Sequence, residues 1–318
     1  MLRILAATAA LALLTACGDG QPFDFGATDG GGGTPTPGPT PSEDNITPLV
    51  VAQNLFAITY NPDGAGGAGT LKVDLRSLDA TILNADYVRD ASRDIPGYRA
   101  FEYQENPNSR KFLAFVREAP NGTVAAAAVA DGGQFNRYFG GGFLSRSGAY
   151  SEAQNNGIVR YAGSYAGVIT VDTSGNVDYA PGAEPPSGNY PHQPSAVTGD
   201  VLIVADFQQN RVNGGIINRE IESEDGTTVL PDAFDLVDIA LIDTEIPTNG
   251  QVVGIVEARG GVSSGQEIGD YAAVFGGVGA TDLAGVILIN PYPDNRDIWE
   301  HGIFVIQTCT TNCPAPNP

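Results

Sequence analysis

From Pro48 onward the chain is written in short runs where apolar and polar residues alternate, the period of a half-buried strand. Leu71-Lys-Val-Asp-Leu75 is such a run. Tyr98-Arg-Ala-Phe-Glu-Tyr103 and Lys111-Phe-Leu-Ala-Phe-Val-Arg117 are two more, parted by the turn-rich Glu105-Asn-Pro-Asn-Ser109. Val50 to Tyr60 also reads as a strand, followed by a glycine loop from Gly64 to Gly69. Thr123 to Ala130, TVAAAAVA, is the ambiguous stretch, because alanine favours helix. Asn121-Gly122 and Asp131-Gly132-Gly133 bound it tightly, and it is read here as a strand. Between Phe135 and Gly167 tyrosine and phenylalanine recur beside glycine, as expected of bent strands whose rings fill the space that missing side chains leave.

The second half is more regular. Gly167 to Asp172 leads through a turn at Thr173-Ser-Gly-Asn176 into Val177-Asp-Tyr179, and a proline-rich loop follows from Ala180 to Ala196. Strands are then expected over Gly199–Asp206, Arg211–Arg219, Val237–Asp243 and Gln251–Ala258. Tyr271-Ala-Ala-Val-Phe275 and Leu283-Ala-Gly-Val-Ile-Leu-Ile289 form a hairpin across Gly276-Gly277-Val278-Gly279, where glycine permits a sharp turn, and Trp299–Gln307 is the last strand. About eight short, evenly spaced strands from Tyr165 on are the pattern of a closed antiparallel barrel. The expected fold is all-β. A small N-terminal antiparallel β domain (48–157) precedes an eight-stranded antiparallel β-barrel (158–308), with a tail at 309–318.

Three stretches then carry a family likeness. Asp206-Phe-Gln-Gln-Asn-Arg-Val-Asn-Gly-Gly-Ile-Ile-Asn-Arg219, Asn249-Gly-Gln-Val-Val-Gly254 and Ala273-Val-Phe-Gly-Gly-Val-Gly-Ala-Thr-Asp-Leu-Ala-Gly285 occur in that order. Together they resemble the C-lobe barrel of the transferrin-binding protein B and factor H-binding protein group of bacterial surface lipoproteins. Asp282 stands where that group mostly has glutamate, and Gly277 where proline is frequent. The resemblance covers roughly residues 160–307. It implies a barrel scaffold and a binding role, since members capture host iron or haem proteins, complement regulators or small solutes.

The N-terminus supplies an address. Arg3 precedes an apolar core, Ile4 to Leu14, too short to span a bilayer of about 30 Å, so residues 1–16 read as an export signal. Leu14-Thr15-Ala16-Cys17 resembles the bacterial lipobox, which implies cleavage before Cys17 and its acylation. Gly18 is not the aspartate that retains lipoproteins in the inner membrane of enterobacteria, so an outer-membrane anchor is expected. Residues 17–47 are a Gly/Pro/Thr tether with almost nothing to bury. About 30 residues of flexible chain reach roughly 30 Å. The 37 acidic against 16 basic residues give a net charge of −21, which disfavours nucleic acid and anionic lipid headgroups as partners.

The remaining chemistry is sparse. Cys309 and Cys313 are left over in an oxidising compartment and are expected to pair as a disulfide; a metal site would need further ligands. Gly261-Val-Ser-Ser-Gly265 matches the G-x-S-x-G of serine hydrolases but lacks the strand–turn–helix context. Val171-Asp-Thr-Ser-Gly175 reads as a β-turn more readily than as half of an aspartic-protease site. Asp232, Asp235 and Asp238 make an acidic edge without a calcium-loop pattern. His192 and His301 are the only imidazoles; either could ligate haem, but a surface or packed position is the plainer reading, and no cofactor or metal is expected. The expected function is non-catalytic: a lipid-anchored envelope protein that captures a solute, a haem or iron source, or a protein partner. Its ligand would meet loops at one barrel end or the groove between the domains. A structural or adhesive lipoprotein is the alternative, and an exported hydrolase is a more distant one.

Overall fold

Alternating side chains of antiparallel strands serve two faces, and the first half of the chain uses both. The computed structural model describes residues 46–78, 81–106, 109–135, 137–153, 157–170, 191–222, 236–261, 263–290, 292, 298–310 and 313. Strands β1 (Leu55–Asn61), β2 (Thr70–Leu75), β3 (Leu83–Arg89), β4 (Arg99–Gln104), β5 (Lys111–Glu118), β6 (Val124–Asp131) and β7 (Gly140–Arg146) pair in chain order as one seven-stranded sheet. The sheet curls until its first strand meets its last, where Asn54 N donates to Gly140 O at 3.0 Å. Leu55, Leu71, Val73, Phe101, Phe112 and Phe143 fill the inside of the curl.

The second unit is the barrel that the strand spacing predicts. β8 (Ile158–Ile169), β9 (Ser195–Asp206), β10 (Arg211–Glu222), β11 (Asp238–Glu245), β12 (Gln251–Arg259), β13 (Glu267–Gly276), β14 (Asp282–Ile289) and β15 (Glu300–Thr308) pair consecutively. β15 then pairs back on β8, antiparallel, and the barrel is closed. Cys309 and Cys313 form a disulfide just beyond β15.

Several expectations are corrected. Val50 to Tyr60 is not one strand. A helical turn, α1 (Leu49–Ala52), comes first, with Val51 N and Ala52 N both donating to Pro48 O, and it buries Val51 and Ala52 before Gln53 turns at φ 50°. β3 had no counterpart in the sequence reading. The expected hairpin at 167–179 is described only to Thr170, β8 running through Val168 and Ile169. The export signal, Cys17, most of the tether, the turn at Asp172–Gly175, Asp232 and Asp235 lie outside the described residues.

The sheet's outer face lies on the barrel wall. Tyr98, Leu113, Phe115, Ala126, Ala128 and Leu144 pack against Val168, Val274, Val286, Leu288, Ile303 and Val305, all buried. Burying a side chain of the Val, Leu or Phe type contributes roughly 1.5–3 kcal/mol, so this seam is a principal source of stability. Among the described residues the groove expected between the domains is therefore a packed core. β7 comes close enough to require glycine: a Cβ on Gly142 would sit 2.1 Å from Val286 Cγ1, and one on Gly141 2.0 Å from Ala52 O.

One contact goes deeper than packing. The β15–β8 ladder is interrupted between Phe304↔Tyr165 and Gln307↔Ala162. There the Tyr98 hydroxyl donates to Ser164 O at 2.5 Å and accepts from Val305 N at 3.2 Å. A phenol from the sheet thus bridges two backbone groups that a continuous ladder would join directly. Arg117 covers the ring at 5.0 Å, and Ser164 Oγ donates to Pro96 O at 3.1 Å. Tyr98→Phe keeps the ring and removes the bridge, leaving a buried N–H and C=O without it. Urea unfolding of that variant is expected to show a loss of about 1–3 kcal/mol, larger than for half-buried Tyr103→Phe.

Candidate functional site

A barrel can hold a ligand inside, at an end, or on its wall. The inside is full. Tyr161, Tyr165, Phe207, Phe275 and Phe304 stand among Ile, Val and Leu side chains, with the Phe275 ring 5.6 Å from Tyr161 and 5.3 Å from Phe207. Gly302 gives way to Tyr165, whose hydroxyl would lie 1.8 Å from any Cβ there. This bears out the reading that rings occupy space vacated by glycine. A void of about 10 Å³, lined by Ile203, Val212, Tyr271, Phe275 and Phe304, has room for about one water.

Toward the end reached by Ile169 and Glu300 the lumen holds a buried ionic knot. Arg219 and Glu300 are both fully buried, and Arg219 Nη2 donates to Glu300 Oε1 at 2.6 Å and Oε2 at 2.5 Å. Tyr165 Oη donates to Oε1 at 2.5 Å, Tyr292 Oη donates to Oε2, and Arg219 Nη1 donates to Val237 O at 2.6 Å. Burial opposes the Arg219 charge, but Glu300, Tyr292 and Tyr165 outweigh it and hold its pKa above the ordinary value. Burial, reinforced by Glu300, raises Tyr165 far above the usual phenol range. Burial also raises Tyr292, with Arg219 opposing and Glu300 adding to the shift. Both tyrosines therefore remain protonated donors. The knot ties β8, β10 and β15 together across the lumen, and its charged groups are fully buried. No sequence pattern announces it, because its four members are separated along the chain and each looks ordinary where it stands.

The two ends differ in their connections. Residues 170–194, 223–237, 260–266 and 290–299 join strands at the end reached by Ile169; only 207–210, 246–250 and 277–281 do so at the other. Among described residues at the long-connection end, Thr170 N donates to Trp299 O and Trp299 N to Thr170 Oγ1, both at 3.0 Å. Tyr138 stacks on Trp299 with centroids 6.2 Å apart. His192 is exposed there, its N donating to Gly133 O at 2.9 Å. On the wall, a surface depression of about 570 Å³ is lined by Ile158, Val204, Asp206, Arg211, Asn213 and Asp243.

The sequence-level candidates fall apart as sites. Ser263 lies in the short turn between β12 and β13, with Gln266 N donating to Ser263 O and β13 following directly, so no helix presents it. His301 is buried on the barrel face that meets β7, where a Cβ on Gly140 would touch its Cδ2 at 2.6 Å. Its Nδ1 has no hydrogen-bond partner, and burial lowers its pKa to about 4. It is a packed residue. Among the described residues no cluster of three or more His, Cys, Asp or Glu could hold a metal ion. Asp282 ties its turn to the sheet. Asn121 Nδ2, Thr123 Oγ1 and Thr281 Oγ1 donate to its Oδ2 at 2.9 Å, and Gln307 Nε2 donates to Oδ1 at 2.8 Å. Burial pushes its pKa up, but these donors outweigh it and hold the carboxyl below its ordinary value.

No protein-family model matches the chain, and no curated protein does either. Solved structures with some likeness include a double mutant of transferrin-binding protein B from Haemophilus parasuis Hp5, with TM-score 0.36 and 9% identity over 75% of this chain and 51% of that one. A surface lipoprotein matches with TM-score 0.33 and 14% identity over 75% and 93%. Isotype 1 transferrin-binding protein B from serogroup B Neisseria meningitidis matches with TM-score 0.31 and 10% identity over 80% and 52%. The chain spans about half the length of the first of these. Transferrin-binding protein B is also the group its barrel motifs resemble, but at such scores the likenesses carry no functional weight.

Acid should loosen the joint in two steps. His301 is neutral in the fold down to about pH 4, whereas its unfolded counterpart gains a proton below about 6.5, so stability falls across that window by up to about 3 kcal/mol. Asp282, with its pKa lowered, contributes stability above about pH 3.8 and loses it as pH drops further. Urea midpoints from pH 7 to 3 are expected to decline less between 6.5 and 4 for His301→Gln. Asp282→Asn should already be weaker at pH 7 and lose less below pH 4.

Proposed function

We propose that this protein is a non-catalytic binding lipoprotein, acylated at Cys17, held at the bacterial outer membrane, and capturing a protein partner on its outer surface. The observation that carries the choice of a protein over a small solute or haem is the filled barrel. Among the described residues the lumen holds a void of about 10 Å³ and an ionic knot, far short of the space of about 300 Å³ or more that a molecule of drug or cofactor size needs. The anchor and address rest on Leu14-Thr15-Ala16-Cys17 and the tether that follows. Two or more acyl chains give stable attachment, each buried methylene adding about 0.8 kcal/mol. The tether lets the folded units stand clear of the lipid.

Growth with an alkyne-tagged palmitate tests the anchor. The wild-type chain should take up label and sediment with outer membranes, while Cys17→Ala should be unlabelled. An unlabelled, soluble wild-type chain would overturn the anchored reading. Protease treatment of intact cells then distinguishes surface display, with loss of the folded units, from a periplasmic orientation. Turnover of any compound in a broad hydrolase panel, abolished by a point substitution, would overturn the non-catalytic part.

A further inference from the structure

Among the described residues the sheet covers one side of the barrel and not the other. Outward residues of β13, β14, β15 and β8, such as Val274, Val286, Ile303 and Val168, are buried beneath the sheet. Among the described residues, the outward positions of β9 to β12 other than Ala196 do not lie beneath it. Val253 is 48% exposed and Ile255 39%, neighbours on β12 that face solvent together. Ala240 and Ile242 on the adjacent β11 are half-buried beside them. The β11–β12 ladder ends at Leu241↔Val256. Beyond it the strands are joined by side chains: Tyr271 Oη donates to Ile242 O at 3.1 Å and Thr244 Oγ1 to Val253 O at 3.4 Å. The aliphatic centre thus sits where the barrel's own backbone pairing is thinnest.

Its surroundings are acidic. Asp200, Asp206, Glu220, Asp238, Glu245 and Glu257 project from the same four strands, none of them buried. Against them stand Arg259 and Arg211, and the latter is already engaged by Asp243 through Nε at 2.8 Å. We infer that this bare wall, β9 to β12, is the docking face for the protein partner, whose complementary surface carries lysine or arginine side chains around an aliphatic centre. The inference rests on the binding reading above and adds the place and the chemistry. Charge complementarity selects the occupant. A second copy of this chain would set carboxylates against carboxylates, and an anionic lipid or nucleic acid surface would be repelled. The acidic rim sets encounter rate and salt dependence; Val253 and Ile255 supply the desolvated centre.

The test uses the full chain purified with Cys17→Ser and the capped peptide Ac-KKVVKK-NH2 as probe, followed by amide shifts in NMR. At low salt the peptide should move amides of β10 to β12, and affinity should fall at least about tenfold in 0.5 M salt. Asp238→Asn with Glu257→Gln should weaken binding by about tenfold, and so should Val253→Ser with Ile255→Ser. Asp86→Asn with Glu105→Gln, which removes the same charge from exposed positions on the sheet, should change it less than about twofold. Equal weakening by both charge-removing pairs would show attraction to net charge alone and overturn the proposal. Shifts confined to the sheet, no shifts at all, or full affinity in the Val253/Ile255 variant would also overturn it. Those failures leave the anchored reading untouched, since palmitate labelling tests it independently.

Discussion

The architecture depends on the meeting of one tyrosine hydroxyl with two backbone groups of another unit. Tyr98 leaves the sheet and enters the barrel wall between its first and last strands, bridging Ser164 O and Val305 N. Buried backbone groups must find partners, and here the barrel finds them outside itself. The barrel's first and last strands are therefore joined by backbone pairing on either side of a short gap that a borrowed side chain bridges. Around Tyr98 the hydrophobic seam and the Asp282 hydrogen bonds extend the dependence along the whole contact, so sheet and barrel stand or fall together.

Much of this was legible in the residues. Period-two runs marked β2, β4 and β5, and the even spacing of later runs anticipated the closed barrel. The alanine run, read as a strand and found as β6, shows why its pattern was ambiguous. Ala126, Ala128 and Ala130 face the barrel while Ala127 and Val129 face the curl of the sheet, so both sides of β6 are buried. A strand buried on both faces loses its alternation, and small residues are needed where two layers press on it. β3 carries the period, with Leu83, Ala85 and Tyr87 turned inward, but interleaved Asn84 and Asp86 made it look like loop. α1 escaped because a four-residue helical turn is too short to show a period.

The joint and the knot were illegible for a different reason. Tyr98 and Val305 lie 207 residues apart, and Arg219 and Glu300 81 apart. Pairings of that range come from topology and have no local spacing to betray them. Asp282 lay in a stretch singled out for its family likeness, yet its partners Asn121 and Thr123 sit in a turn of the other unit. By contrast the pairing of Cys309 with Cys313 followed from proximity and compartment alone.

That small covalent loop lies beside the barrel's last join. Cys309 N donates to Arg160 O at 2.7 Å, carrying the backbone contact between the two ends of the barrel segment one step past β15. A nascent chain emerges from its amino end, so β8 waits while seven further strands follow, and only then can the ring shut. The staple at its carboxyl edge crosslinks two residues of that same edge, Cys309 and Cys313. A carboxypeptidase trimming inward meets this crosslinked turn before it reaches the strand whose departure would open everything.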